Sequence, residues 1–393
     1  MSDALEPLPC DAPKGQSPAN QLSSPDEPHQ DNTEVAAASP VSDATRRPLI
    51  TRRQALVAAG LATGAGLAVL TGTGPALVNL VQAARRPRPV TGSTFAFDTY
   101  CSFTVYGDDT APAKLSAACA RYDALFNLYD EGSDIARINR AGGAPTVVDP
   151  ETAAVIARAL ELSTHLDGLF DISIGAVSTL WDFHTGIRPS DEAIAAALPH
   201  VGWRGIHVDE PVATVTLDDP AAKLDLGGIA KGFVADRLCE LIRTETDASA
   251  AVISLGGNIA YVGGRPDGSP WTTGIRDPNE PGGDATVGTA RTAGGTFVTS
   301  GLYERTFSDG GATYWHILDP NTGRPVQTDV VSDTVFGPSS TAADALSTAL
   351  FVAGSARGAK LVDSIGETAA YFILADGDVA ESSRWQELTG FEA

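Results

Sequence analysis

The chain has 393 residues, 43% hydrophobic and 7% aromatic, enough to bury a substantial core and to exclude wholesale disorder. Its 27 Lys and Arg against 49 Asp and Glu give a net charge of −22, which repels phosphate backbones and argues against a nucleic-acid partner. A phosphorylated ligand would therefore need a local cationic device, most simply a metal.

Residues 1–45 are rich in Pro, Ser, Asp, Glu and Ala without apolar periodicity, and read as a disordered acidic tail. Segment 46–90 carries Thr51-Arg52-Arg53-Gln54-Ala55-Leu56, then a Gly- and Ala-rich apolar run over 55–84, then Arg85-Arg86-Pro87-Arg88. That pattern resembles a twin-arginine export signal, with Gln82-Ala83-Ala84 as a small-residue cleavage site. Left uncleaved, it would anchor the chain in a membrane through residues 55–84. The expected location is the periplasm or the outer face of the cytoplasmic membrane, and residues 91–393 form the expected globular domain.

Within 91–393, residues 94–106 alternate as one half-buried strand. Leu115, Cys119, Tyr122, Leu125, Phe126 and Tyr129 mark an amphipathic helix over 112–129. Further helices are expected over 151–166, entered through Asp149-Pro150, over 231–247, and from Ser340 to Val362. Short β-rich runs cover Ala251–Leu255, Ile259–Val262, Thr272–Arg276, Thr296–Ser300 and Tyr314–Leu318. Helices and strands mix without regular βαβ alternation, which predicts an α+β fold. Four cysteines without a CxxC spacing exclude a disulfide scaffold or zinc cluster, and leave open any single bridge among Cys101, Cys119 and Cys239.

Several segments carry chemistry. Leu224-Asp225-Leu226-Gly227-Gly228-Ile229-Ala230-Lys231-Gly232 reads as strand, glycine turn and helix start, where backbone N–H groups and Lys231 favour an anion; a plain turn with a solvated Lys reads the same way. Asp344 and Thr348 share one face of the last helix, a carboxylate and a hydroxyl suited to a hard cation, although a first-turn Asp also favours the helix dipole. Asp171 sits in an apolar run and needs a partner or a ligand. His316 lies among aromatics, and Asp319-Pro320-Asn321-Thr322-Gly323 reads as a hairpin turn. Leu128–Asn139 reads as a helix end, a turn and a new short helix.

In order, Tyr129-Asp130-x-x-Ser133, Gly168-x-Phe170-Asp171-Ile172, Leu-Asp-Leu-Gly-Gly-Ile-Ala-Lys-Gly, Leu-Gly-Gly-Asn, Thr-Ser-Gly-x-Tyr, His-Ile-Leu-Asp-Pro-x-Thr-Gly and Ala-Asp-Ala-Leu-Ser-Thr closely resemble the ApbE family of FAD:protein FMN transferases, over about residues 94–375. The resemblance implies a T-fold-like domain of mostly antiparallel sheets and packed helices, with FAD as substrate and Mg²⁺ in one cleft. It implies transfer of FMN to a Thr or Ser hydroxyl of an acceptor protein, with release of AMP. The acceptor would be a flavoprotein subunit of an exported electron-transfer complex, such as a sodium-pumping quinone reductase, an Rnf-type complex or a nitrous-oxide-reductase regulator, the last of which twin-arginine export would suit. Carried over by motif, the metal ligands are Gly228, Asp344 and Thr348. Phe97, Tyr129, Ser133, Asp171, Lys231 and His316 line the FAD site, and His316 and Asp344 are the catalytic candidates. The family's Met-Gly-Thr near the first strand stands here as Phe97-Asp98-Thr99, which leaves open what covers the flavin ring. An FAD pyrophosphatase, or an exported flavin-binding protein without turnover, would carry much of the same pattern.

Overall fold

A computed structural model describes residues 87–280, 283 and 285–393. The acidic tail, the Arg52-Arg53 signal and the apolar run 55–84 lie outside them. No helix among the described residues is long and apolar enough to cross a membrane.

The main sheet has eight strands whose spatial order follows the chain: β1 (Pro89–Ala96), β2 (Thr99–Tyr106), β3 (Ala250–Leu255), β4 (Asn258–Val262), β5 (Gly295–Gly301), β6 (Val330–Gly337), β7 (Ala369–Leu374) and β8 (Val379–Glu381). Every neighbouring pair is antiparallel. Successive side chains point to opposite faces, so alternate residues serve two cores. In β7, Ala370 and Phe372 enter the larger core, whereas Ala369, Tyr371 and Ile373 enter the smaller. That is why this strand is apolar throughout. The larger core takes in α1 (Ala111–Phe126), α2 (Pro150–His165), α3 (Ala230–Glu245) and α4 (Ser340–Ala353). The smaller is built with the hairpin Trp271–Arg276 and Thr286–Thr292 and the short helix Trp385–Thr389. Packed helices and antiparallel sheets make the fold α+β.

The structure corrects four expectations. Residues 94–106 are not one strand. The chain turns at Phe97-Asp98, both with positive φ (55° and 57°), and Ala96 pairs with Thr99 in a two-residue hairpin. No Gly or Asn marks this turn; the Phe97 N–H donates to Asp123 Oδ1 of α1 at 2.9 Å instead. The long C-terminal helix breaks at Gly354 (φ 74°), and a second helix runs Ser355–Asp363. Tyr314–Leu318 divides into Ala312–Trp315 and Leu318–Asp319, leaving His316 between strands; Leu318–Asp319 and Arg324–Pro325 form the expected hairpin. Leu224–Leu226 joins no named strand, with an isolated bridge between Ile174 and Lys223 beside it. Asn139 holds it, accepting from the Leu224 N–H at 2.6 Å and donating to the Leu224 carbonyl at 2.9 Å.

The start of α3 meets the start of α4. Asp236 of α3 caps α4: Oδ1 accepts from the Ser340 N–H, and Oδ2 from the Thr341 N–H, each at 2.9 Å. The Ser339 and Thr341 hydroxyls also donate to Oδ2. In return α3, which has no side-chain cap of its own, receives one from α4: Asp344 Oδ2 accepts the Gly232 N–H at 2.8 Å. Each helix thus satisfies N–H groups that the other's first turn leaves without intrahelical partners.

This crossing is close because Gly232 has no side chain. A Cβ there would lie 2.3 Å from the Ser340 carbonyl oxygen and 2.7 Å from Asp344 Cβ. Gly to Ala within an ordinary helix stabilises by about 1 kcal/mol. Here overpacking against backbone costs about 1–3 kcal/mol or more, so Gly232→Ala is expected to lower stability by roughly 2 kcal/mol in urea unfolding. A gain in stability would show that the helices do not cross this tightly.

Candidate active site

The Gly227-Gly228 turn lies where α3 begins. A Cβ on Gly228 would stand 2.9 Å from Thr348 Oγ1 and 3.1 Å from Phe170 Cε2, so the backbone passes directly against both side chains. Asp225 shapes the turn by accepting from the Gly227 N–H at 2.8 Å and the Ser178 hydroxyl at 2.6 Å. Lys231, in the first turn of α3, points back over it, with Nζ 3.5 Å from the Gly227 carbonyl and 3.9 Å from Asp344 Oδ1.

Asp344 is 3% exposed. It does not sit in the first turn of α4, which holds no acidic residue, so the dipole reading falls away. Its Oδ2 is committed to Gly232, and its Oδ1 faces Lys231. Thr348 follows one turn later, and its hydroxyl lies a long 3.5 Å from the Asp344 carbonyl. The structure therefore brings Gly228, Lys231, Asp344 and Thr348 together. Among the described residues no cluster of three His, Cys, Asp or Glu side chains could hold a metal. The donors here are different in kind: one carboxylate oxygen, one hydroxyl and the backbone of a glycine turn. An all-oxygen set of this kind suits Mg²⁺, which binds through few protein ligands plus substrate phosphates, so the residues fit that ion.

His316 is half-buried, and its Nδ1, itself buried, has no hydrogen-bond partner. Burial, followed by the charges of Arg305 and Lys231, pushes its pKa down to about 3. Its backbone N–H donates to the Arg305 carbonyl at 3.2 Å, and Phe183 meets its ring edge-on at 6.5 Å. Arg305 pairs with Asp98 at 3.1 Å, which ties the Phe97-Asp98 turn to the same neighbourhood. Tyr129 is 80% exposed, within the electrostatic reach of Asp225, Arg305, Asp182 and Asp98.

Two residues singled out in the sequence are occupied by local bonds. Ser133 caps the helix Asp134–Arg140 by accepting from the Ala136 N–H at 3.0 Å. Asp171 accepts from the Ser173 N–H and hydroxyl and from the Trp203 N–H, so its need for partners is met within the protein. The neighbouring Phe170 is the side chain that touches the glycine turn. Asp333 was not singled out, although it is a carboxylate in an apolar run just as Asp171 is. It is fully buried on β6; burial holds its carboxyl well above the usual range, and Ser347 bridges it to Ser300 at 2.7 and 2.6 Å.

A folded-state pKa below the unfolded one means that His316 resists protonation in the native protein. Its contribution to stability is full above the unfolded value near 6.5 and is lost as pH falls toward about 3. The His316 imidazole resonances are therefore expected to stay flat in NMR titration from pH 8 to 5. A titration step in that interval would contradict this burial and charge pattern.

A family model described as the ApbE family matches residues 97–372. A FAD:protein FMN transferase of Treponema pallidum is 35% identical over 322 residues, covering 76% of this chain and 88% of that protein. Among solved structures, the ApbE protein of Thermotoga maritima superimposes with a TM-score of 0.70 at 30% identity, over 77% of this chain and 99% of that one. The flavin transferase ApbE of Vibrio cholerae does so with a TM-score of 0.66 at 25% identity, over the same shares.

Proposed function

Since the chain belongs to the ApbE family, we propose that it transfers FMN from FAD to a Thr or Ser hydroxyl of an acceptor protein, releasing AMP, with Mg²⁺ required. It is a transferase. The observation that supports this reading most is the meeting of the Gly228 turn, Lys231, Asp344 and Thr348 at the start of α3, in a chain whose net charge is otherwise −22.

The residues divide the work by chemistry. Lys231 and the N-terminal N–H groups of α3 attract the pyrophosphate of the substrate. Asp344, Thr348 and the Gly228 carbonyl are the ligands that would hold Mg²⁺. When bound, that ion supplies positive charge for the phosphate oxygens and polarises the phosphorus toward attack. Asp344 cannot turn away to another partner, because Gly232 fixes one oxygen. His316 offers a neutral, unpartnered Nδ1 to the attacking hydroxyl, as acceptor of its hydrogen bond. Anionic phosphate against Lys231 offsets one of the two charges that depress this imidazole, and so raises its basicity in the complex. Phe97 and Tyr129 are the residues assigned to the flavin by the family motifs, and Tyr129 is exposed. The acceptor is a subunit of an exported electron-transfer complex, and the Arg52-Arg53 signal carries the enzyme across the cytoplasmic membrane to meet it.

The hydrogen bond from Gly232 decides which substitution tests this. Asp344→Ala would leave that buried N–H unsatisfied, at a cost of about 1–3 kcal/mol, and would mix folding with chemistry. Asp344→Asn keeps an acceptor for Gly232 and removes the charge. It is expected to melt close to the parent while losing at least ~100-fold in transfer, read as in-gel flavin fluorescence on a recombinant Rnf-type acceptor subunit with FAD and MgCl₂. Undiminished transfer would overturn the metal assignment. Free FMN in place of labelled protein, from the parent enzyme, would favour the pyrophosphatase.

A further inference from the structure

We propose that the free edge of β1 is the docking strand for the acceptor protein, which lays an extended segment next to its modified hydroxyl along this edge and pairs with it backbone to backbone; the inference rests on the reading of the chain as an FMN transferase. The main sheet ends in two unlike edges. At one, β8 is three residues long and carries Glu381, the kind of short, charged strand that resists pairing with another chain. At the other, β1 runs eight residues without a charged side chain, and its one proline stands at the first position. Its register with β2 is unbroken from Pro89 to Ala96, so no bulge blunts it either.

The hairpin turn fixes which backbone groups face outward. With two residues in the turn, Ala96 and Thr99 form the closing hydrogen-bonded pair, and bonded and non-bonded pairs then alternate along the ladder. Thr94, Gly92 and Val90 therefore bond to β2, while Phe95, Ser93 and Thr91 turn their N–H and C=O groups away from it. Among the described residues nothing donates to or accepts from these outward groups. The same three residues also have exposed side chains. Phe95 stands directly opposite Tyr100 in a non-bonded pair, where side chains come closest, yet the two residues are 71% and 64% exposed. An aromatic pair left bare at the end of an unpaired edge is the type of anchor that protein interfaces bury.

Position and charge select the occupant. The strand ends at the Phe97-Asp98 turn, where Asp98 pairs with Arg305 at 3.1 Å and with His184 at 3.3 Å. The Arg305 carbonyl in turn accepts from the His316 N–H. A segment laid along β1 is thus led toward the candidate site: at about 3.3 Å per residue, a hydroxyl roughly two residues past the position facing Phe95 lies level with the turn. Strand addition takes its affinity from the main chain and its specificity from alternate side chains, so the acceptor would set an apolar or β-branched side chain against the Phe95–Tyr100 pair. A second copy of this chain is the rival occupant, and a net charge of −22 on each opposes two copies meeting edge to edge.

The test uses the full chain with FAD, MgCl₂ and a recombinant Rnf-type acceptor subunit. Ser93→Pro removes one outward N–H and sets a ring in the path of a new strand, while leaving every bond to β2 in place. Phe95→Lys keeps the backbone and removes the exposed ring, and it reads the same surface should the proline variant unfold. Both are expected to melt close to the parent and to bind FAD as tightly, by quenching of flavin fluorescence, while KM for the acceptor rises at least ~10-fold and kcat changes little. In hydrogen exchange of the parent, amides at 91–95 are expected to exchange fast alone and to slow when the acceptor is added. An unchanged KM in a folded variant, or exchange at 91–95 that the acceptor does not slow, would overturn the proposal. So would exchange already slow in the parent and speeded by dilution, the mark of a second copy on this edge. An acceptor that slows exchange at 91–95 yet receives no flavin would count against the transferase reading and would leave the docking strand standing.

Discussion

The site rests on a reciprocal exchange of carboxylates between two helices. Asp236 of α3 closes the N-terminus of α4, and Asp344 of α4 closes that of α3. A helix start left without a cap is a cost of about 0.5–2 kcal/mol. Here both are met by one crossing, and Gly232 is the residue small enough to allow it. The consequence is chemical as well as structural. Asp344 is held by one oxygen and presents the other beside Lys231, with Thr348 one turn on and the Gly228 turn against it.

Around that crossing, charge is arranged against the trend of the molecule. Lys231 and Arg305 are the cations whose fields reach His316, and burial removes its proton as well. Burial holds the Asp333 carboxyl on β6 well above its usual range, and Ser347 links it to Ser300. The lining therefore offers an anionic substrate two cations, helix N–H groups and a neutral imidazole. The carboxylate of Asp344 is the negative group placed to hold a cation.

Much of this was legible in the sequence, and what was missed has specific causes. The strand runs were visible because their apolar residues alternate or run continuously between glycines. The helix face of α1 was visible from its periodicity, and α2 from its Asp149-Pro150 entry and cap. The Phe97-Asp98 turn was not, because its left-handed residues carry no Gly or Asn, and its support comes from Asp123 on another element. Asp344 could be picked as a carboxylate facing Thr348, but its bond to Gly232 spans 112 positions and has no local signature. Ser133 and Asp171 were noticed through their motifs; their capping and turn bonds became evident only once Ala136, Ser173 and Trp203 were placed beside them.

The claim on which everything else depends is that the start of α3 and the face of α4 together hold a divalent cation against a pyrophosphate. Diffraction from crystals grown with FAD and Mn²⁺, measured at the manganese edge, tests it without an acceptor protein or turnover. The account predicts one anomalous peak within bonding distance of the Gly228 carbonyl, an Asp344 carboxylate oxygen and Thr348 Oγ1, with the phosphates of FAD on its far side beside Lys231. A well-ordered FAD with no peak there, or with manganese bound at other residues, would contradict it.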